Sequence, residues 1–117
     1  ELQKILTSKD TMMLMELFAI FDFMTKYEIK NTTQFKKDYK LAKRRGLNLE
    51  LLKEIVTKLA KGESLDPKHK DHPLSGNWVG HRECHILPDW LLIYRYDDDV
   101  LVLTLTRTGS HSDLFNL

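Results

Sequence analysis

Four imidazoles, His72, His81, His85 and His111, stand among Asp71, Arg82, Glu83, Asp89 and Arg107 in a chain of 117 residues. An imidazole takes and gives protons near neutral pH. Several of them beside carboxylates and arginines are the groups that metal-free cleavage of a phosphodiester requires: a base, an acid, and cations for the charge that develops on the phosphoryl oxygens. Zinc is the rival reading, because His69 and His72, and His81 and His85 with Cys84, have the look of ligand pairs. On a strand, however, His81 and His85 stand about 13 Å apart at the usual rise per residue. There is no second cysteine either. Metal ligation is therefore not expected, and no cofactor is called for.

These residues need a scaffold, and the pattern supplies one. Tyr27 to Lys30 alternates as a short strand, with Asn31, Thr32 or Thr33 as an N-cap for a helix from about Thr33 to Arg45. Phe35, Tyr39 and Ala42 give that helix an apolar face, and Gly46 ends it. A second helix from about Asn48 to Lys61 carries Leu52, Ile55, Val56 and Leu59 at helical spacing before Gly62. Residues 63–77, punctuated by Pro67, Pro73 and Gly76, read as loop. Three strands follow: Trp78 to Ile86, Trp90 to Tyr96 after a Pro88-Asp89 turn, and Val100 to Arg107 after the acidic turn Asp97-Asp98-Asp99. The expected fold is α+β, βααβββ, a helix hairpin on a mostly antiparallel four-stranded sheet. On the first of these strands His81, Glu83 and His85 share a face.

Composition bounds the alternatives. The length fits one domain, and 42% apolar with 30% charged residues is an ordinary globular balance. A formal charge of +1 says little, but Lys36, Lys37, Lys40, Lys43, Arg44 and Arg45 crowd one decade. One cysteine permits no internal disulfide and fits a reducing compartment. The apolar run from Met12 to Met24 falls short of the ~20 residues that span a bilayer and contains Glu16 and Asp22. The chain is read as cytoplasmic, with no membrane partner. Residues 1–23 are set apart from a domain over 24–117. They read either as an added helix with a Leu14, Leu17, Phe18, Phe21 stripe or as sequence upstream of a natural start at Met24, and the second reading is preferred. His69 and His81 are expected at the surface, Cys84 as a buried filler, and Trp78 and Trp90 in or beside the core.

Three stretches resemble a known family. Lys70–Gly80 (KDHPLSGNWVG), His85–Tyr94 (HILPDWLLIY) and Arg107–Phe115 (RTGSHSDLF) are similar, in order and spacing, to motifs of the YafQ-like branch of the RelE/ParE superfamily of bacterial toxins. The likeness runs from about Met24 to Phe115. It implies a RelE-like fold and the toxin of a type II toxin–antitoxin pair, a ribosome-dependent messenger-RNA endonuclease in which a ribose 2′-OH attacks the adjacent 3′-phosphate without a metal. It also implies roles. His111 matches the general acid, and His85 and Asp89 match a pair in which one is the base and the other tunes it. His72 matches a loop histidine that stabilises phosphate charge or shares proton transfer, Arg107 a phosphate clamp, and Phe115 an aromatic that positions a base or supports the site. At a further acidic position the chain has Glu83 where Asp is expected, so that match is weaker.

The resemblance also gives the basic helix face a use, since Lys36, Lys37, Lys40, Lys43, Arg44 and Arg45 could grip ribosomal RNA phosphates. The implied partners are a cognate antitoxin, the ribosome and mRNA, with operator DNA reached only through the antitoxin. Two alternatives stay open: a ParE-like toxin that binds gyrase without cutting RNA, and an inactive antitoxin-binding co-repressor. Neither needs the histidines and arginine at these positions.

Overall fold

The computed structural model describes residues 25–116. The expectations for residues 1–23 and Met24 lie outside the described residues. Strand β1 (Glu28–Asn31) leads into helix α1 (Thr33–Arg44) and helix α2 (Leu49–Ala60). Then come β2 (His72–Pro73), β3 (Arg82–Leu87), β4 (Trp90–Asp97), β5 (Val102–Gly109) and a short helix α3 (His111–Phe115). Short 3-10 turns cover Pro67–His69 and Gly76–Trp78.

Local chemistry explains the hairpin of helices. The Thr32 hydroxyl accepts from Phe35 N at 2.9 Å and starts α1, and the Asn48 carboxamide accepts from Glu50 N at 3.1 Å and starts α2. Each such cap stabilises its helix by about 1 kcal/mol. Gly46 takes φ +75° just past α1, where a side chain would be strained. Phe35, Tyr39 and Ala42 of α1 and Leu52, Ile55, Val56 and Leu59 of α2 then bury against Cys84, Leu92, Tyr94, Leu103 and Leu105 of the sheet.

Among the described residues the sheet has five strands in the order β1-β5-β4-β3-β2, not the expected four. Only β1 and β5 run parallel; the other three pairs are antiparallel. The fifth strand is β2, two residues in a segment expected to be loop. Pro73 lacks the N–H that would extend it, which is why the sequence pattern does not reveal it. The strand expected from Trp78 begins only at Arg82. Gly76 and Gly80 adopt φ +63° and +87°, so the chain turns there despite the strand-favouring Trp and Val between them. His81 therefore lies just before β3 and not within it. Its ring stands edge-on to Trp78 with centroids 5.5 Å apart. On the sheet face away from α1 and α2, Leu91, Ile93 and Leu114 form a second small core flanked by Leu74, Trp78 and Phe115. Among the described residues no helix is long and apolar enough to cross a membrane.

Candidate active site

Register builds the site. Leu91 of β4 pairs with His85 of β3 on one side and with Gly109 of β5 on the other. The chain turns into α3 directly after Gly109, so His111 arrives across β4 from His85. The two rings lie 5.5 Å apart between centroids. Asp89 sits in the two-residue turn joining β3 to β4. A bulge between His85 and Leu87 precedes that turn, and such irregularities re-aim side chains. His72 of β2 pairs across from Glu83 of β3.

The carboxylates divide between the imidazoles. Asp89 Oδ1 accepts from both the backbone N–H and ring Nδ1 of His111, at 2.8 and 2.6 Å. Those donors hold the Asp89 carboxyl below its ordinary range. Asp89 therefore serves His111, not His85 as the motif pairing implied, and the His85 Nδ1 faces the Pro88 carbonyl at 3.3 Å. The Nδ1 bond leaves Nε2 of His111 to exchange a proton. Glu83, buried, lies with Oε1 3.3 Å from Nε2 of His85 and 3.9 Å from Nε2 of His72. The weaker motif match is thus the residue between two imidazoles.

Tautomers are set from outside the rings. His72 Nδ1 lies 2.6 Å from the Lys70 carbonyl and so donates to it, which directs Nε2 toward Glu83. His69, expected at the surface, is half-buried and donates through Nδ1 to the His85 carbonyl at 2.6 Å. No signal in a Lys-His-Lys run distinguishes this from solvation. Lys70 takes the left-handed φ of 48°, uncommon for a residue with a Cβ. That twist presents its carbonyl to His72. Asp71, one residue on, accepts from Tyr94 Oη at 2.6 Å and from Arg82 Nε at 3.3 Å, fastening the loop to the sheet.

Arg107 is committed elsewhere. Its Nε and Nη2 donate to the two Asp38 oxygens at 2.9 and 3.1 Å, and buried Asp38 also accepts from Thr108 N at 3.2 Å. Arg107 and Asp89 line one cavity of about 330 Å3 on the α1 side, with the Nη1 edge of the guanidinium outside the Asp38 pair. Arg45 is exposed and also has an acidic partner. Its guanidinium binds Asp113 at 2.6 and 3.2 Å, and Asp113 closes a reciprocal capping box with Ser110 at the start of α3. Arg45 and the Ser110 N–H hold the Asp113 carboxyl far below its ordinary 3.8. The stabilisation is therefore present above that value and is lost as pH falls through the depressed one. Lys36, Lys37, Lys40 and Arg44 are exposed on α1. Phe115 packs on the small core of Leu91, Ile93 and Leu114. Cys84 is buried as expected, and burial pushes its thiol far up, so it is no nucleophile.

The fold does bring potential metal donors together, though not the ones paired in sequence. His81 and His85 do not form a site, but Glu83, His85 and His111 offer ligand atoms within 4.8 Å of one another. Two imidazoles and a carboxylate suit a borderline ion such as zinc or copper.

A helix hairpin on a mixed sheet, with histidine–carboxylate couples at one sheet corner, defines an α+β protein equipped for proton transfer. Residues 27–116 match the model of a bacterial toxin of type II toxin–antitoxin systems, YafQ. The chain belongs to this family. It is 41% identical over 93 residues to the mRNA interferase toxin YafQ of Escherichia coli K12, a match spanning 79% of this chain and 99% of that protein. The crystal structure of the E. coli DinJ–YafQ toxin–antitoxin complex superimposes with a TM-score of 0.71 at 41% identity, covering 77% of this chain and 98% of that one. A metal-bound toxin from Helicobacter pylori gives a TM-score of 0.71 at 45% identity, over 74% and 97%.

Proposed function

We propose that this toxin is an mRNA interferase that cuts messenger RNA on the ribosome by 2′-OH attack on the adjacent 3′-phosphate. The observation that carries the reading is the pair of histidine–carboxylate couples, Glu83–His85 and Asp89–His111, facing each other across β4 with rings 5.5 Å apart. The 2′-OH proton passes to the Glu83–His85 couple as the 2′-oxygen bonds to phosphorus. His72 and the free edge of Arg107 stabilise the developing charge. The bond to the 5′-oxygen breaks as that oxygen takes the proton from Nε2 of His111. A 2′,3′-cyclic phosphate and a 5′-OH result. Phe115 supports this corner. Lys36, Lys37, Lys40 and Arg44 hold ribosomal RNA phosphates, an attraction that weakens with salt. A cognate antitoxin is the partner, as DinJ is for the E. coli relative.

Primer extension on an mRNA translated with and without the purified chain tests this. Cuts that require ribosomes are expected. Cuts on naked RNA alone, or none, would overturn the reading.

The donor cluster supports a second role for the same groups. Glu83, His85 and His111 would hold a zinc or copper ion, which there would occupy the lone pairs used for proton transfer. Cleavage is accordingly expected to persist in a chelator and to fall when zinc or copper is added. Loss of cleavage in the chelator, restored by zinc, would contradict it.

A further inference from the structure

The groove beside the imidazoles has a composition that acid–base chemistry does not explain. A cavity of about 630 Å3 lies between α2, the Pro67–His69 turn and the β3–β4 corner, and both His85 and His111 line it. That volume falls within the roughly 300–1,000 Å3 of small-ligand sites. Its walls include Leu51 and Ile55 of α2, with Ile86, Leu87 and Pro88 of the corner opposite. Lys58, Lys68 and Lys70 bring three ammonium groups to the lining, and Glu54 adds one carboxylate. His69 lines it too, with Nδ1–H engaged on the His85 carbonyl and Nε2 left as an acceptor.

We propose that this cavity seats the base of the nucleotide next to the scissile phosphate and so selects where the RNA is cut. The inference rests on the cleavage reading and extends it. Apolar walls on two sides suit the faces of a flat base. The cations suit the phosphates on either side of it, and continuity with His85 and His111 sets the cavity one nucleotide from the bond that breaks. Two acceptors on the lining, the Glu54 carboxylate and His69 Nε2, favour a base whose edge carries an exocyclic amino group. Adenine, guanine and cytosine qualify; uracil does not. Phosphate contacts contribute attraction without sequence preference, and base-edge contacts contribute choice. The left-handed Lys70 belongs to this arrangement, because one residue serves both His72, through its carbonyl, and the cavity wall.

The test has two arms. Nucleoside 3′-monophosphates are titrated into the ¹⁵N-labelled chain at low salt. Amide shifts are expected at Leu51, Ile55 and Leu87, stronger for the adenine, guanine and cytosine compounds than for the uracil one. In the ribosome assay, Leu51→Glu is expected to raise KM about 10-fold, which corresponds to ~1.4 kcal/mol, with kcat nearly unchanged. Glu54→Gln, an exposed and structurally mild change, is expected to redistribute cuts toward uracil-containing positions. An unchanged cut pattern in Glu54→Gln, or nucleotide shifts confined to other surfaces, would overturn the proposal while cleavage itself still stands. Variants that lose antitoxin affinity but keep the wild-type cut pattern would assign the cavity to an antitoxin side chain, which also overturns it. Absence of any cleavage by the wild-type chain fails the parent reading instead, and the titration then still decides whether the cavity takes a nucleotide.

Discussion

Replacing His111 with alanine is expected to lower mRNA cleavage by about 10²- to 10⁴-fold, the range for loss of a positioned proton donor. The fold should be nearly indifferent to the change. The His111 side chain is 38% exposed, its Asp89 partner 68%, and neither belongs to the buried core. A surface substitution of this kind shifts stability by about 0.5 kcal/mol or less. Loss of rate without loss of melting temperature is therefore the signature. His85→Ala should lower cleavage alike, because it removes the ring that faces Glu83, but with that side chain only 16% exposed and Glu83 buried it should also lower the melting temperature. Both variants should relieve growth arrest on expression and still bind the antitoxin. If both remain fully toxic, the proton-transfer groups lie elsewhere.

The second large effect is on stability. Asp38→Ala removes the carboxylate that accepts two bonds from Arg107, one from the Thr108 backbone and one from Gln34. It leaves a guanidinium only 25% exposed and a buried N–H without their acceptor. Breaking a buried pair in this way costs about 3–5 kcal/mol, and the partial exposure of Arg107 puts the expectation near the lower end. For a domain of this size, that corresponds to a fall in melting temperature on the order of 15 °C. Asp38→Asn keeps an acceptor for Thr108 and should cost less. Thermal melts of the two variants decide the matter, and equal melting temperatures for wild type and Asp38→Ala would refute it. Cleavage should suffer too, since Asp38 orients the arginine assigned to the phosphate.

The helices were readable because their signals are local. Apolar spacing, Thr32 and Asn48 at the caps and Gly46 after α1 need no distant partner to act. The meander of β3, β4 and β5 was readable for the same reason. Partnerships across space were not. Nothing in the order His85-Ile86-Leu87-Pro88-Asp89 reveals that the aspartate turns to a ring 22 residues further on. The pairing of Arg45 with Asp113 was hidden in the same way, because the two lie 68 residues apart. His69 and Glu83 were underrated alike: one binds a backbone carbonyl, which has no residue type to notice, and the other depends on a two-residue strand. What composition did convey was the inventory of proton carriers, and the resemblance conveyed which of them to expect together.

The order of strands also bears on how the toxin comes to be folded. Pairing β1 with β5 joins residues 28–31 to residues 102–105, a closure that spans most of the described chain. The β3–β4–β5 meander needs only short turns, and with the step into α3 it holds Glu83, His85, Asp89 and His111 within one continuous stretch. Short loops close sooner than long ones, and distant pairings slow a chain's folding. The proton-transfer corner thus depends on short closures along the chain, while the edge strand β1 depends on the longest closure in the sheet.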